Sequence, residues 1–204
     1  MIKHIIFDFD GVILDSIPVK TEAFRTLFKS FPQDIIDTFI AYHLENGGKS
    51  RYLKIKYFFN TLLDQEISQE EIIHYAHTYS TLTKKELSKE KYIIQETLHF
   101  IQTQYKHYHM HIASGADEND LKSICNHLDL NQYFISIHGS PTPKSDIIKN
   151  LLCTYHYHKE ETILIGDSIN DFDAAQHNNI TFYGFNNMQL SKKHKYIHDF
   201  GIFL

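Results

Sequence analysis

The chain has 204 residues, of which 42% are apolar and 22% charged. That fits one large domain, or a core with a smaller insert, and is enough to bury a core. A net charge of −5 with histidine neutral excludes a global basic field for nucleic acid, and no apolar run approaches membrane-spanning length.

The first element is a short apolar run, Ile5-Ile6-Phe7, of the kind that forms a strand buried on both faces. It stops at Asp8 and Asp10, followed at once by Gly11. On a continuing strand the two carboxylates would share a face, where they repel and need a cation, a shared proton or solvent. A helical pattern follows Asp15-Ser16, with Val19, Ala23, Phe24, Leu27, Phe28 and Phe31 in phase up to Pro32. Ile35, Ile36, Phe39 and Ile40 predict a second helix, broken at Gly47-Gly48. Residues 51–63 read as a third, with Leu53, Tyr57, Phe58 and Leu62 inward. Ser68 and Glu71 form a capping box for a fourth carrying Ile72, Ile73, Ala76, Tyr79 and Leu82.

From about residue 92 the rhythm alternates. A helix with Ile94, Leu98, Ile101 and Tyr105 leads to a strand at 109–113 that ends in Ser114-Gly115. A helix bearing Leu121, Ile124, Cys125 and Leu128 precedes a strand from Tyr133 to Ile137. Lys144 opens the next helix, after Pro141 and Pro143. The strand Thr162 to Ile165 ends in Gly166-Asp167, a helix runs from Asp171 to His177, and Ile180 to Tyr183 forms a last strand. The remaining residues read as a packed tail.

This alternation predicts an α/β fold: a doubly wound, Rossmann-like parallel sheet with an all-helical cap inserted after the first strand. Residues 1–15 and 89–204 would form the catalytic core and residues 16–88 the cap. In such sheets ligands bind beyond the carboxyl ends of the strands. One site can therefore collect Asp8, Asp10, Ser114, Lys144, Asp167 and Asp171, four carboxylates against one lysine. An all-oxygen acidic site of this kind favours Mg²⁺. The two cysteines, Cys125 and Cys153, show no metal spacing and read as reduced thiols of a cytoplasmic protein. Among 15 histidines, the alternating sets His107, His109, His111 and His156, His158 read as surface polar residues rather than metal ligands.

Asp8-Phe9-Asp10-Gly11-Val12, Ala113-Ser114-Gly115, Lys144, and Gly166-Asp167-Ser168-Ile169-Asn170-Asp171 occur in the order and spacing of a known family. With them the chain resembles the haloacid dehalogenase superfamily, in its phosphoglycolate phosphatase-like branch. The resemblance implies a Mg²⁺-dependent phosphatase acting on a small phosphorylated metabolite. In it Asp8 would be the nucleophile and Asp10 the acid/base. Asp8, the Asp10 carbonyl, Asp167 and Asp171 would hold the metal, and Ser114, Gly115 and Lys144 the phosphoryl oxygens. Lys49 and Arg51, in a glycine-hinged loop, are candidates for contact with an anionic substrate. Lys20 stands where related sugar phosphomutases carry a second acid/base histidine, which lowers the mutase reading. A phospho-aspartate receiver module is a further alternative, though it would not need the helical insertion.

Overall fold

A strand with neighbours on both faces needs apolar residues in both orientations, and Ile5, Ile6 and Phe7 are fully buried. They belong to β1 (His4–Phe7) in a computed structural model that describes residues 1–203. β1 is the middle of a five-stranded parallel sheet with β2 (His109–Asp117), β3 (Ser136–Ser140), β4 (Thr162–Gly166) and β5 (Thr181–Gly184). The strand order is β3-β2-β1-β4-β5. The chain thus leaves β1 in one direction and returns on its other side, so the strand order reverses at β1. Phe7 is in register with both Ile112 and Ile165, which sets the carboxyl ends of β1 and β4 beside the stretch of β2 that leads into Ser114.

Alternate residues of each strand enter opposite layers, as the two-residue period requires. Ile5, Phe7, Ile112, Ile163 and Ile165 pack with Phe100 and Ile101 of α5 (Gln95–Gln104) and Leu121, Ile124 and Cys125 of α6 (Glu118–His127). Ile6, Ala113 and Leu164 pack with Ile147, Ile148 and Leu151 of α7 (Lys144–Thr154) and Ala174 and Ala175 of α8 (Ile169–Asn178). The tail packs as expected: Ile197 and Phe200 are buried in the first layer.

Between β1 and α5 lie four further α-helices: α1 (Ile17–Leu27), α2 (Gln33–Glu45), α3 (Arg51–Tyr57) and α4 (Gln69–Leu87). They hold a separate aromatic cluster in which Phe28 stacks on Phe58 at 3.7 Å and Phe24 and Phe39 meet edge to face. The Ser68–Glu71 capping box that starts α4 is present in both directions.

Three sequence expectations need correction. The third helix does continue to Leu62 as a wider π turn, but Leu53 is 57% exposed. The inward stripe is Arg51, Lys54, Ile55 and Phe58, so two cations occupy positions that hydropathy assigns to apolar residues. In α4, Ile73 and Leu82 also face outward, while Thr83 and Leu87 face in. The third strand starts three residues later than expected, because Asn131–Tyr133 is a 3₁₀ turn and the ladder runs through polar Ser136 and His138. As an edge strand, β3 tolerates that polarity.

His111 is likewise no surface residue. It is fully buried on β2, with Nδ1 at 2.7 Å from Ser136 Oγ and Nε2 at 3.0 Å from the Tyr157 hydroxyl. Burial, helped by His138, pushes its pKa down to about 4. Between about 6.5 and 4 the unfolded chain binds a proton here that the folded chain refuses. Stability contributed by neutral His111 is therefore complete above that window and lost as pH falls through it, by about 3 kcal/mol in all. Thermal midpoints measured from pH 8 to 4.5 are expected to drop through this window, by roughly 6–12 °C on account of His111. His111→Leu is expected to flatten the slope, and an unchanged slope would contradict the assignment.

Candidate active site

Local turns deliver the acidic side chains. β1 ends at Phe7, and Phe9 O accepts from Ile13 N and Leu14 N at 2.9 Å, so the chain doubles back at once. Gly11 makes this possible: its φ is +78°, and a Cβ there would lie 2.1 Å from Asp167 Oδ2. Because the strand has ended, Asp8 and Asp10 diverge. Asp8 is 1% exposed, and its Oδ1 accepts from Phe9 N at 2.7 Å and from Lys144 Nζ at 2.8 Å. Asp10 turns to Lys20 Nζ, 2.5 Å away, and to the Ser16 hydroxyl.

The turn after β4 supplies the rest. Ser168 caps α8, and Asp171 returns the bond to the Ser168 amide at 3.1 Å, which fixes the Asp171 carboxylate under the strand ends. Its other oxygen meets Lys144 Nζ. Carboxylate oxygens of Asp8, Asp167 and Asp171 all lie within 4.8 Å of one another.

Two of these carboxylates, Asp8 and Asp171, share the Lys144 ammonium while Asp167 lies beside them, and their protonation reflects it. Burial, reinforced by Asp171 and only partly offset by Lys144, pushes Asp8 up to about 7. Burial and then Asp8 and Asp171 hold Asp167 well above the usual carboxylate range. Lys144 goes the other way: burial would lower it, but Asp171 and Asp8 outweigh that and keep it firmly charged. Burial would raise Asp10, but Lys20 and Ser16 outweigh it and hold the carboxyl low. Among the described residues, Asp8 Oδ2 is buried without any partner. An orphaned carboxylate oxygen within a cluster this rich in negative charge fits a hard divalent cation, whose ligands are carboxylate and carbonyl oxygens.

Of the other expected residues, Ser114 is fully buried within β2, where the register with β3 shifts, and its Oγ accepts from Ala116 N at 3.1 Å. Gly115 is pressed against the 47–50 loop, and a Cβ there would lie 1.9 Å from Gly48 O. Asn170 Nδ2 donates to Gly47 O at 2.6 Å, so this loop roofs the strand ends. Beneath it lies a cavity of about 660 Å³ lined by Asp10, Lys20, Lys49, Gly115 and Asp167 among others. Arg51 also reaches its wall, but its guanidinium donates to Asp120 at 2.7 Å and to Ser80 at 2.5 Å. The guanidinium that the sequence offers as a candidate contact for an anionic substrate is thus held by Asp120 and Ser80.

Four lining residues escaped the sequence reading. His43 and Lys54 face the cavity from α2 and α3. Asn186 donates to Gly11 O at 3.1 Å and Asn187 to Asp167 O at 2.8 Å, bracing both acidic turns from the loop after β5. A usable signal for the asparagines was their position at the end of the fifth strand.

A doubly wound sheet with acids and a lysine gathered at its strand ends defines an α/β fold with a charged site at the carboxyl ends of its strands. The chain belongs to the haloacid dehalogenase-like hydrolases, whose family model matches residues 5–185. No curated protein sequence matches it significantly. Among solved structures it is similar to a predicted phosphoglycolate phosphatase from Haemophilus somnus, with TM-score 0.77 and 16% identity over 99% of this chain and 96% of that one. It is equally similar to a β-phosphoglucomutase from Clostridium difficile, with TM-score 0.77 and 19% identity over 98% and 92%. A Bacillus subtilis member of the superfamily, solved with magnesium bound, aligns with TM-score 0.72 and 16% identity over 99% and 96%. At these identities the likeness establishes the fold. Among the described residues, no helix is long and apolar enough to cross a membrane.

Proposed function

We propose that the protein is a Mg²⁺-dependent phosphomonoester hydrolase for a small phosphorylated metabolite, working through an aspartyl-phosphate on Asp8. The observation that carries this reading is the clustering of Asp8, Asp167 and Asp171, two of them paired with Lys144, beside a roofed cavity. The carboxylates of Asp8, Asp167 and Asp171, with the Asp10 carbonyl, would hold the metal. Bound there, it supplies positive charge that offsets both the carboxylates and the phosphoryl oxygens.

The residues divide the work. An Asp8 oxygen attacks phosphorus, and the ester oxygen departs with a proton from the Asp10 carboxyl. Lys20 keeps Asp10 ionised at rest, but an incoming phosphoryl dianion competes for Lys20 and drives Asp10 toward its protonated form. Once deprotonated, Asp10 takes a proton from the water that attacks the aspartyl-phosphate, releasing phosphate and restoring Asp8. Ser114, the Gly115 amide and Lys144 bind phosphoryl oxygens, and losing one such donor costs about 10²–10³ in rate. We further assign residues 16–88 as a cap that shields this chemistry from water, a role supported by the separate aromatic cluster of α1–α4. The free thiols of Cys125 and Cys153 support a cytoplasmic setting.

Dialysis against EDTA is expected to abolish phosphate release from p-nitrophenyl phosphate, and added Mg²⁺ to restore it. Full activity after chelation would overturn the metal assignment. The likeness to a mutase and to a phosphatase is equal by TM-score, so sugar phosphates decide between those two: free phosphate supports hydrolysis, isomerised ester supports a mutase.

A further inference from the structure

The two turns that carry the acids are far apart in the chain and thinly joined in space. Asp8 N donates to Ile165 O at 2.8 Å, and beyond that bond no backbone hydrogen bond links residues 9–12 to residues 166–168 among the described residues. Yet the turns touch, since Asp167 Oδ2 would lie 2.1 Å from a Cβ at Gly11. Asp8 and Asp10 sit on one turn and Asp167 on the other, and like charges push such turns apart. Lys144 does not tie them together: among the described residues it pairs with Asp8 and Asp171, not with Asp167.

Two consecutive residues span the gap. Asn186 Nδ2 reaches the first turn, at Gly11 O, and Asn187 Nδ2 reaches the second, at Asp167 O. Asn187 Oδ1 accepts from Gln189 N at 3.1 Å, which orients the amide with its NH₂ toward Asp167. Asn186 has φ 54°, a left-handed backbone that asparagine adopts more readily than most residues. The loop is itself anchored: Phe185 N donates to Gly166 O at 2.9 Å, and Phe185 and Leu190 are buried in opposite layers of the core. Each amide grips a main-chain carbonyl, so it restrains a turn without neutralising a carboxylate. The acids keep their charge for a cation.

We propose that Asn186 and Asn187 form a neutral clamp that holds the β1 and β4 turns at a fixed separation and thereby sets the affinity of the acidic site for Mg²⁺. Neither touches the reacting atoms; both are positioning residues. Work against the repulsion between the turns is then done by the folded chain rather than by the arriving ion, which is how outer partners of a metal site raise its affinity. The inference rests on the metal site of the phosphatase reading and adds to it the residues that hold its two halves together.

The test is calorimetric titration of Mg²⁺ into the substrate-free protein, in wild type, Asn187→Ser and Asn186→Gly. A serine hydroxyl can still accept from Gln189 N but is too short to reach Asp167 O, and glycine keeps the left-handed backbone while losing the amide. Asn187→Ser is expected to bind Mg²⁺ about tenfold more weakly, and the double variant more weakly still. Half-maximal phosphate release from p-nitrophenyl phosphate should need correspondingly more Mg²⁺, with kcat and KM at saturating Mg²⁺ within about threefold of wild type. Equal Mg²⁺ affinity in all three proteins overturns the proposal, even beside a lowered thermal midpoint, because a merely structural role leaves the affinity of the folded protein unchanged. A loss of kcat that persists at saturating Mg²⁺ overturns it too, since the asparagines would then act on the chemical step. If one variant fails to fold, the other carries the same comparison. Calorimetry needs no turnover, so a wild type that binds Mg²⁺ and hydrolyses no ester sinks the phosphatase reading while the affinities still decide the clamp. A wild type that binds no Mg²⁺ overturns the clamp whatever it hydrolyses.

Discussion

Asp8→Asn is expected to stop turnover while leaving the metal-free protein more stable than wild type. A nucleophile that forms the covalent intermediate has no substitute in the site, so kcat should fall by about 10⁴-fold or more. Stability moves the other way because Asp8 is a buried charge among like charges. Asparagine keeps the shape, still accepts from the Phe9 amide and Lys144, and removes one of the three carboxylates. The sign follows from the raised carboxyl, at about 7 against 3.8 for a free aspartate. Between those values the folded chain holds a proton that the unfolded chain releases, so ionising Asp8 costs stability as pH rises through this window. In EDTA the variant's advantage should therefore be small at pH 4, grow to about 1–3 kcal/mol by pH 7 and stay flat above. Retained turnover would contradict the nucleophile, and a large loss of stability would contradict the crowding.

Arg51→Ala is expected to lower the thermal midpoint by about 6–12 °C, corresponding to a loss of roughly 3 kcal/mol. Arg51 is 6% exposed, donates to Asp120 and Ser80, and lies over the Tyr79 ring at 5.0 Å. Burial would raise Asp120, but Ser80 and Arg51 outweigh it and hold the carboxyl low. Removing the guanidinium strands that carboxylate between Ser80, 2.6 Å away, and a more distant Lys84 at 3.8 Å. The pair joins α3 to α6, so it also ties α1–α4 to the sheet layer. Adding Asp120→Asn should recover much of the loss, since the stranded charge is the main cost. An unchanged midpoint together with a raised KM for anionic esters would instead restore Arg51 as a substrate contact.

The strand-end chemistry was legible in the sequence because it is local. Asp8, Ser114-Gly115, Lys144 and Asp167 each follow an apolar run or open a helix, and the doubly wound topology brings such positions together. The phase of α3 was not legible. Its inward stripe carries Arg51 and Lys54, but periodicity placed Leu53 inside, offered Arg51 only as a substrate contact and did not single out Lys54. What pairs with them, Asp120 for Arg51 and His43 for Lys54, depends on contacts with distant segments. The divergence of Asp8 and Asp10 hinged on the strand ending at Phe7, a boundary of one residue that hydropathy does not resolve. His111 was misjudged because its partners, Ser136 and Tyr157, come from β3 and the segment after α7.

The most direct test of the account is where phosphorus goes during a single turnover. Protein mixed with a phosphomonoester and Mg²⁺, quenched in acid within milliseconds and digested with pepsin, should carry one phosphoryl group on the peptide containing Asp8. That label should decay as phosphate appears and be absent from Asp8→Asn. Phosphate released without any label on that peptide, or a label on another residue, would contradict the mechanism.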